Sequence, residues 1–169
     1  MAEFTDAIAL LKADHRKVEK LFEQYEAASG AAAKKKLSHQ ICVELKIHTT
    51  LEEEIFYPAY RGKIEDDILD EAYVEHDGAK ILINDIEAGS PEDDFYDAKV
   101  HVLSEEITHH VHEEEMPSEG MFAECRKVEE VDLVAMRDAM LARKEELLAQ
   151  EESEGLPPAA PRAVKLVAA

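Results

Sequence analysis

The sequence predicts an all-α protein: an up-down antiparallel four-helix bundle with an additional C-terminal helix. Three observations carry that expectation. Apolar residues recur at three- and four-residue steps rather than alternating, which fits helices and argues against strands. Glycine and proline are scarce, six of each in 169 residues. Most fall where the periodic stretches stop: Gly30, Pro58 and Gly62, Gly89 to Pro91, Pro117 to Gly120, and Gly155 to Pro158.

The first helix, about residues 5–28, aligns Ile8, Leu11, His15, Val18, Phe22 and Tyr25 on one stripe. The second, about 34–60, does the same with Leu37, Ile41, Leu45, His48, Glu52 and Ile55. The third, about 65–88, carries Leu69, Ala72, His76, Ala79, Ile83 and Ile86 and stops at Gly89. The fourth, about 91–115, aligns Tyr96, Val100, Leu103, Ile107, His110 and Glu114, with Ser90, Pro91 and Glu92 as start signals. A fifth, about 127–150, has the weaker pattern Val131, Val134, Met136, Leu141 and Leu148 and is expected to pack outside the four. Residues 1–125 are thus expected to form the bundle and 126–152 an accessory helix. Residues 153–169, rich in Pro and Ala and poor in large apolar side chains, are expected to be a flexible tail.

Each stripe is the face that a helix turns toward its neighbours, and every one of the four contains a histidine. The spacing repeats: His15 precedes His48 by 33 residues, His76 precedes His110 by 34, and Glu52 and Glu114 follow the later histidines by four. Burying four imidazoles and two carboxylates without partners would cost several kcal/mol, so something must compensate. Residues i and i+4 lie one above the other on a helix, so His48 with Glu52, and His110 with Glu114, can aim a nitrogen and an oxygen at one point. With His15 and His76 the set suits two metal ions spanned by glutamates. Iron fits mixed imidazole and carboxylate donors best and manganese second, whereas zinc favours a closed four-ligand site. The alternative is a metal-free interaction protein in which the His–Glu pairs satisfy one another.

The other histidines read as surface residues: His39 and His101, and also His109 and His112, which with Glu105, Glu106, Glu113 and Glu115 form a solvated face. Register selects His110 and Glu114 over His109 and Glu113, because Leu103, Ile107, His110, Glu114 repeats the steps of Ile41, Leu45, His48, Glu52. Other chemistries are not supported. No Gly-rich phosphate loop, nucleophile elbow or Cys-x-x-Cys pair occurs, and Cys42 and Cys125 read as free, partly buried thiols. With 19 basic and 39 acidic side chains the net charge is −20, which opposes binding to nucleic acid or anionic membranes. No apolar run approaches the ~18 to 20 residues of a membrane span. The N-terminus has acids where a secretory signal has a basic start, so a cytoplasmic location is expected.

The segments ADHRKVEKLF around His15, HTTLEEEIFYPAYR around His48, AYVEHDGAKILI around His76 and FYDAKVHVLSEEITHHVHEEE around His110 resemble the hemerythrin-like proteins with HHE cation-binding domains. The resemblance covers about residues 5–125. It implies a non-haem centre of two iron ions, able to share an oxo bridge, with His15, His48, Glu52, His76, His110 and Glu114 as ligands and the glutamates bridging. It also implies a small ligand, oxygen, nitric oxide or peroxide, bound in sensing, scavenging or storage. Phe22, Leu45, Ile83 and Ile107 are expected to line its pocket. The oxygen carriers of the family use a fifth histidine where this chain has Ala72, so a water, a carboxylate or a tyrosine is expected to fill that place. This departure favours a sensor, a scavenger or a weak catalase- or peroxidase-like activity over oxygen carriage. A second departure is EMPSEGMF after Glu114, where the family continues into Phe-Pro. The protein is expected to be monomeric, with any protein partner reached through the C-terminal tail.

Overall fold

The computed structural model describes residues 4–167; residues 1–3 and the last two residues of the expected tail lie outside the described part. Seven helices follow in order: α1 (Ala7–Ala27), α2 (Ala31–Leu51), α3 (Tyr57–Tyr60), α4 (Asp66–Ala88), α5 (Tyr96–Glu115), α6 (Met121–Cys125) and α7 (Leu133–Glu154). Short connections make successive long helices antiparallel. The contacts of α1 with α2, α2 with α4, α4 with α5 and α5 with α1 close a four-membered ring, the expected up-down bundle. α7 lies outside it against α1 and α2. Among the described residues no helix is long and apolar enough to cross a membrane.

Local chemistry sets the ends. Asp6 caps α1 by accepting from the Ala9 N–H at 2.9 Å, and Asp132 caps α7 by accepting from Val134 and Ala135. α5 begins at Tyr96, five residues later than expected, because Ser90 and Asp93 close a turn on each other and Phe95 takes a left-handed conformation, φ 67°. The buried stripe of α7 is Met136, Met140 and Leu147, while Val134 and Leu148, expected on that face, are exposed. The periodic pattern carries no sign of α6. Gly120 permits it: a Cβ there would stand 2.6 Å from the backbone of Met116 and 2.8 Å from the Glu114 carbonyl, so only glycine lets the chain fold back over the end of α5.

The second helix is not the single α-helix that its periodicity suggests. Between α2 and α3, residues Glu52–Phe56 form a π-helical turn, with the Tyr57 N–H donating to the Glu52 carbonyl. Pro58 has no N–H to donate to the turn before it, which removes one α-helical hydrogen bond at this place. The widened turn changes what faces inward. In an α-helix residue i+5 lies ~140° round from residue i, whereas a π turn leaves the two within ~60°. Glu52 and Tyr57 therefore share a face.

Two apolar clusters fill the bundle. One holds Ile8, Leu11, Leu51, Phe56, Tyr60, Leu69, Met121, Phe122 and the α7 methionines; the other holds Val18, Phe22, Ile41, Leu45, Ile83, Leu103 and Ile107. His15, His48, Glu52, His76, His110 and Glu114 occupy the layer between them in each helix. The C-terminal segment differs from its expected flexibility. Its backbone is laid on α4: Asn84 exchanges two 2.8 Å hydrogen bonds with Ala159, and the Asp77 carboxylate accepts the N–H groups of Arg162, Ala163 and Val164. Composition cannot reveal this, because beyond Leu156, which packs against the core, the segment is held by polar partners on α4.

Candidate metal centre

The six residues singled out from the sequence converge. The Nε2 atoms of His15 and His48 are 3.2 Å apart, as are those of His76 and His110. His48 Nε2 and His76 Nε2 each lie 3.2 Å from Glu52 Oε2. Glu114 reaches both pairs as well, with Oε2 3.2 Å from His15 Nε2 and Oε1 3.5 Å from His110 Nε2. All six side chains are buried, Glu52 at 0% exposure and Glu114 at 1%. They form two adjoining groups that could each hold an ion: His15, His48, Glu52 and Glu114, and Glu52, His76 and His110.

The outer nitrogens of the rings explain why the inner ones face each other. His15 Nδ1 is 2.6 Å from Glu115, His76 Nδ1 2.9 Å from Glu53, and His110 Nδ1 2.6 Å from Glu75. A ring that donates its Nδ1 proton outward to a carboxylate turns an Nε2 lone pair inward. His48 is the exception: its Nδ1 stands 3.8 Å from Asp14 Oδ2, and neither atom has a hydrogen-bond partner. Asp14 is one carbon shorter than glutamate and is held by Lys144 of α7.

The helical stripes do not mark these outer acids, and the sequence pattern puts Glu115 on a solvated face. In the structure it binds His15, while His109 and His112 of that face are exposed as expected. A signal existed. Each acid adjoins a candidate ligand in sequence, as Asp14-His15, Glu52-Glu53, Glu75-His76 and Glu114-Glu115, yet faces a histidine of a neighbouring helix, and all but Asp14 bond to it.

Tyr57 joins the six groups. Its hydroxyl lies 3.1 Å from Glu52 Oε2, 3.0 Å from Glu114 Oε1 and 3.2 Å from His76 Nε2. Phe122 of α6 stacks on His15 with ring centres 5.9 Å apart, and Phe56 meets Phe122 edge-on. The expected pocket lining differs as well. Phe22, Leu45, Ile83 and Ile107 belong to the apolar cluster on one side of the centre. The cavity that reaches His110 and Glu114, about 170 Å³, has Ile68, Ala72, Met116 and Met121 as its apolar wall.

The donor set fits a metal. Four imidazole nitrogens, two carboxylates and a phenol oxygen converge with one hydroxyl proton directed among them, and Glu52 Oε1 and Glu114 Oε2 are buried without hydrogen-bond partners. Facing lone pairs and orphaned carboxylate oxygens repel unless cations or protons lie between them. Ligand atoms ~2.1 Å from one ion and at right angles are ~3 Å apart, close to the spacing found here. Protons compete for the same atoms. Burial alone would depress both, but Glu52 and Asp14 raise the His48 imidazole to about 10, and Glu52 and Glu53 raise His76 to about 9. Binding a cation at neutral pH must therefore release protons.

Cys42 and Cys125 are buried and unpaired, and burial pushes the Cys42 thiol up to about 12 and Cys125 higher still, which leaves both inert.

Comparison with known proteins agrees with this architecture. A crystal structure of a hemerythrin HHE cation binding domain-containing protein from Mycobacterium kansasii superposes with a TM-score of 0.73 over 90% of this chain and 96% of that one, at 20% sequence identity. A DNA nickase of Nostoc sp. (strain PCC 7120 / SAG 25.82 / UTEX 2576) is 29% identical over 106 residues, which cover 63% of this chain and 30% of that protein. The chain thus matches under a third of that relative's length. The family model described as hemerythrin HHE cation binding domain matches residues 6–118, more than half of the chain and all six converging groups. The chain belongs to the hemerythrin HHE cation-binding family.

Proposed function

We propose that the centre holds two non-haem iron ions and presents them to a small ligand, dioxygen, nitric oxide or peroxide, in sensing, scavenging or storage. The observation that carries this reading is that Glu52 and Glu114 each face histidines of both pairs. A carboxylate shared between two imidazole pairs serves two neighbouring cations better than one. His15 and His48 would hold one ion, His76 and His110 the other, and the two glutamates both. Tyr57 supplies the donor that Ala72 leaves out. Bound iron would supply one- and two-electron redox chemistry toward a small oxygen or nitrogen ligand. The chain's own residues do the rest: Glu115, Glu53 and Glu75 keep the rings in one tautomer, Phe122 and Phe56 exclude water on the His15 side, and Tyr57 Oη holds a proton within reach of Glu52 and Glu114.

Elemental analysis of folded protein purified anaerobically from iron-replete cells tests this. About two irons per chain, falling in Glu52→Ala, support it, and folded protein without stoichiometric metal overturns it. A second reading, decomposition of hydrogen peroxide, is favoured by the solvent-open cavity at His110 and Glu114. Turnover by iron-loaded protein that disappears in His48→Ala would establish it. The nicking activity belongs to the Nostoc relative; here a net charge of −20 opposes contact with a phosphate backbone.

A further inference from the structure

The cavity between α4 and α5 has a charge pattern of its own. Besides its apolar wall it is lined by Glu71, Glu75, Glu113, Glu119, His110 and Glu114, and no lysine or arginine borders it. Its floor is the centre itself, through His110 and through Glu114, whose Oε2 is buried and has no hydrogen-bond partner. At its rim Glu75, His109 and Glu113 form a third group of ligand-type side chains, His109 Nε2 being 3.1 Å from Glu113 and 3.5 Å from Glu75. Glu75 links rim and floor, since its other oxygen is 2.6 Å from His110 Nδ1. Glu71 and Glu119 are exposed.

A second cavity, about 280 Å³ and on the other flank of α4, shows that this pattern is not general for so acidic a chain. Lys46, Lys80, Arg143 and Arg162 border it, and the C-terminal segment from Leu156 to Arg162 covers it. A cation approaching that flank meets positive charge and a strap. A cation approaching the α4–α5 flank meets a concave mouth walled by carboxylates, where low-dielectric walls focus the field and raise the local cation concentration. At the bottom lies Glu114 with its unpartnered Oε2.

We propose that the α4–α5 cavity is the route by which divalent cations reach the centre, with Glu75, His109 and Glu113 as a transient capture site at its mouth. The proposal rests on the metal-centre reading above and adds to it a path and a separate set of residues. A ferrous ion would exchange part of its water shell for the rim imidazole and carboxylates, then pass Ala72, whose small side chain leaves the passage open, to Glu114. No electron transfer is involved, and the protons displaced leave to solvent through the same mouth.

The test is the rate at which ferrous ion, added anaerobically to the chelator-treated full-length chain, is taken up, together with the final metal content. Two double variants are compared with wild type, Glu71→Gln with Glu119→Gln, and His109→Ala with Glu113→Gln. Each should slow uptake by about tenfold at low salt, with the difference shrinking at high salt and with final content unchanged. Glu145→Gln with Glu152→Gln, on the outer face of α7, should leave the rate alone. Rates unchanged in both cavity variants, or slowed equally by the α7 pair, overturn the route while leaving the centre intact. Wild type that takes up no stoichiometric metal overturns the centre itself. Ala72→Leu, which narrows the passage without altering charge, should slow uptake at every salt concentration, and uptake at the wild-type rate would also overturn the route.

Discussion

Glu53 and Glu75 do the same thing for adjacent histidines in opposite surroundings. Glu53 accepts from His76 at 3% exposure, clamped by Lys80 at 2.7 and 2.9 Å and by Arg162 at 2.7 Å. Glu75 accepts from His110 at 21% exposure, with only the exposed His109 as a second partner. On the α2–α4 flank the carboxylate is thus locked into a network that the C-terminal segment seals, and on the α4–α5 flank it opens to water. The difference shows that ring orientation needs only the carboxylate; the additional charges around Glu53 serve to bury it. A centre that must both persist and exchange ligands is served by one closed flank and one open one.

The largest expected effect comes from removing the buried member. Glu53→Ala leaves the buried Lys80 without its main counter-ion and should cost about 3–5 kcal/mol, a fall of ~10 °C in melting temperature for a chain of this size. Glu75→Ala should leave the melting temperature nearly unchanged, because water replaces a half-open carboxylate. Equal losses in the two variants would remove the distinction between the flanks. Metal affinity, measured by competition with a chelator, should nevertheless drop ~10–100-fold in both, since each carboxylate orients a ring.

Next in size is a pH effect on metal-free protein. His76 and His48 are raised to about 9 and 10, so their protonated forms stabilise the fold fully below about 6.5 and lose that contribution as pH rises through the raised values. The melting temperature of chelated protein should therefore fall steadily as pH rises from 7 to 10. Metal-loaded protein should not follow, because its rings are already deprotonated. Parallel pH curves would mean that no cation replaces those protons.

A smaller effect sharpens the comparison at the seal. Asp77→Asn weakens three charge-assisted bonds to the C-terminal segment and should cost about 1 kcal/mol while raising hydrogen exchange at Arg162, Ala163 and Val164. Burial alone would raise the Asp77 carboxyl, but those N–H groups hold it below its ordinary 3.8, so the seal is complete above that value and loosens as pH falls beneath it. Unchanged exchange at these three amides would mean that Asp77 does not hold the segment.

The smallest effect is expected at Asp14. Asp14→Glu lengthens the one outer acid that falls short of its histidine, and should change stability by under ~1 kcal/mol while tightening metal binding. Weaker binding would show that the 3.8 Å gap serves the centre.

Much of the fold is legible in the residues. A stripe such as Leu103, Ile107, His110 and Glu114 states which side of a helix faces in, because the helical period maps sequence onto faces with no knowledge of neighbours. The six groups read from those stripes do face one another. The outer acids were harder to read, since a glutamate next to a ligand lies ~100° round the helix, where only the neighbouring helix decides whether it meets water or an imidazole. Glu113 and Glu115 flank Glu114 on either side, and only Glu115 meets a histidine of another helix.

By itself, then, the sequence determined the class of fold, the four inward stripes, the matched histidines and glutamates, and the acidity of the surface. Each of these follows from composition or from a local period. Tertiary structure alone decided the rest. The π turn rotated Tyr57 onto the face of Glu52, and Gly120 let α6 return with Phe122 against His15. Asp77 and Asn84 drew an unpromising Pro- and Ala-rich segment onto one flank, leaving the other open. In each case the deciding contact joins residues far apart in the chain, or rests on a single irregular turn, and a periodic pattern carries no record of either.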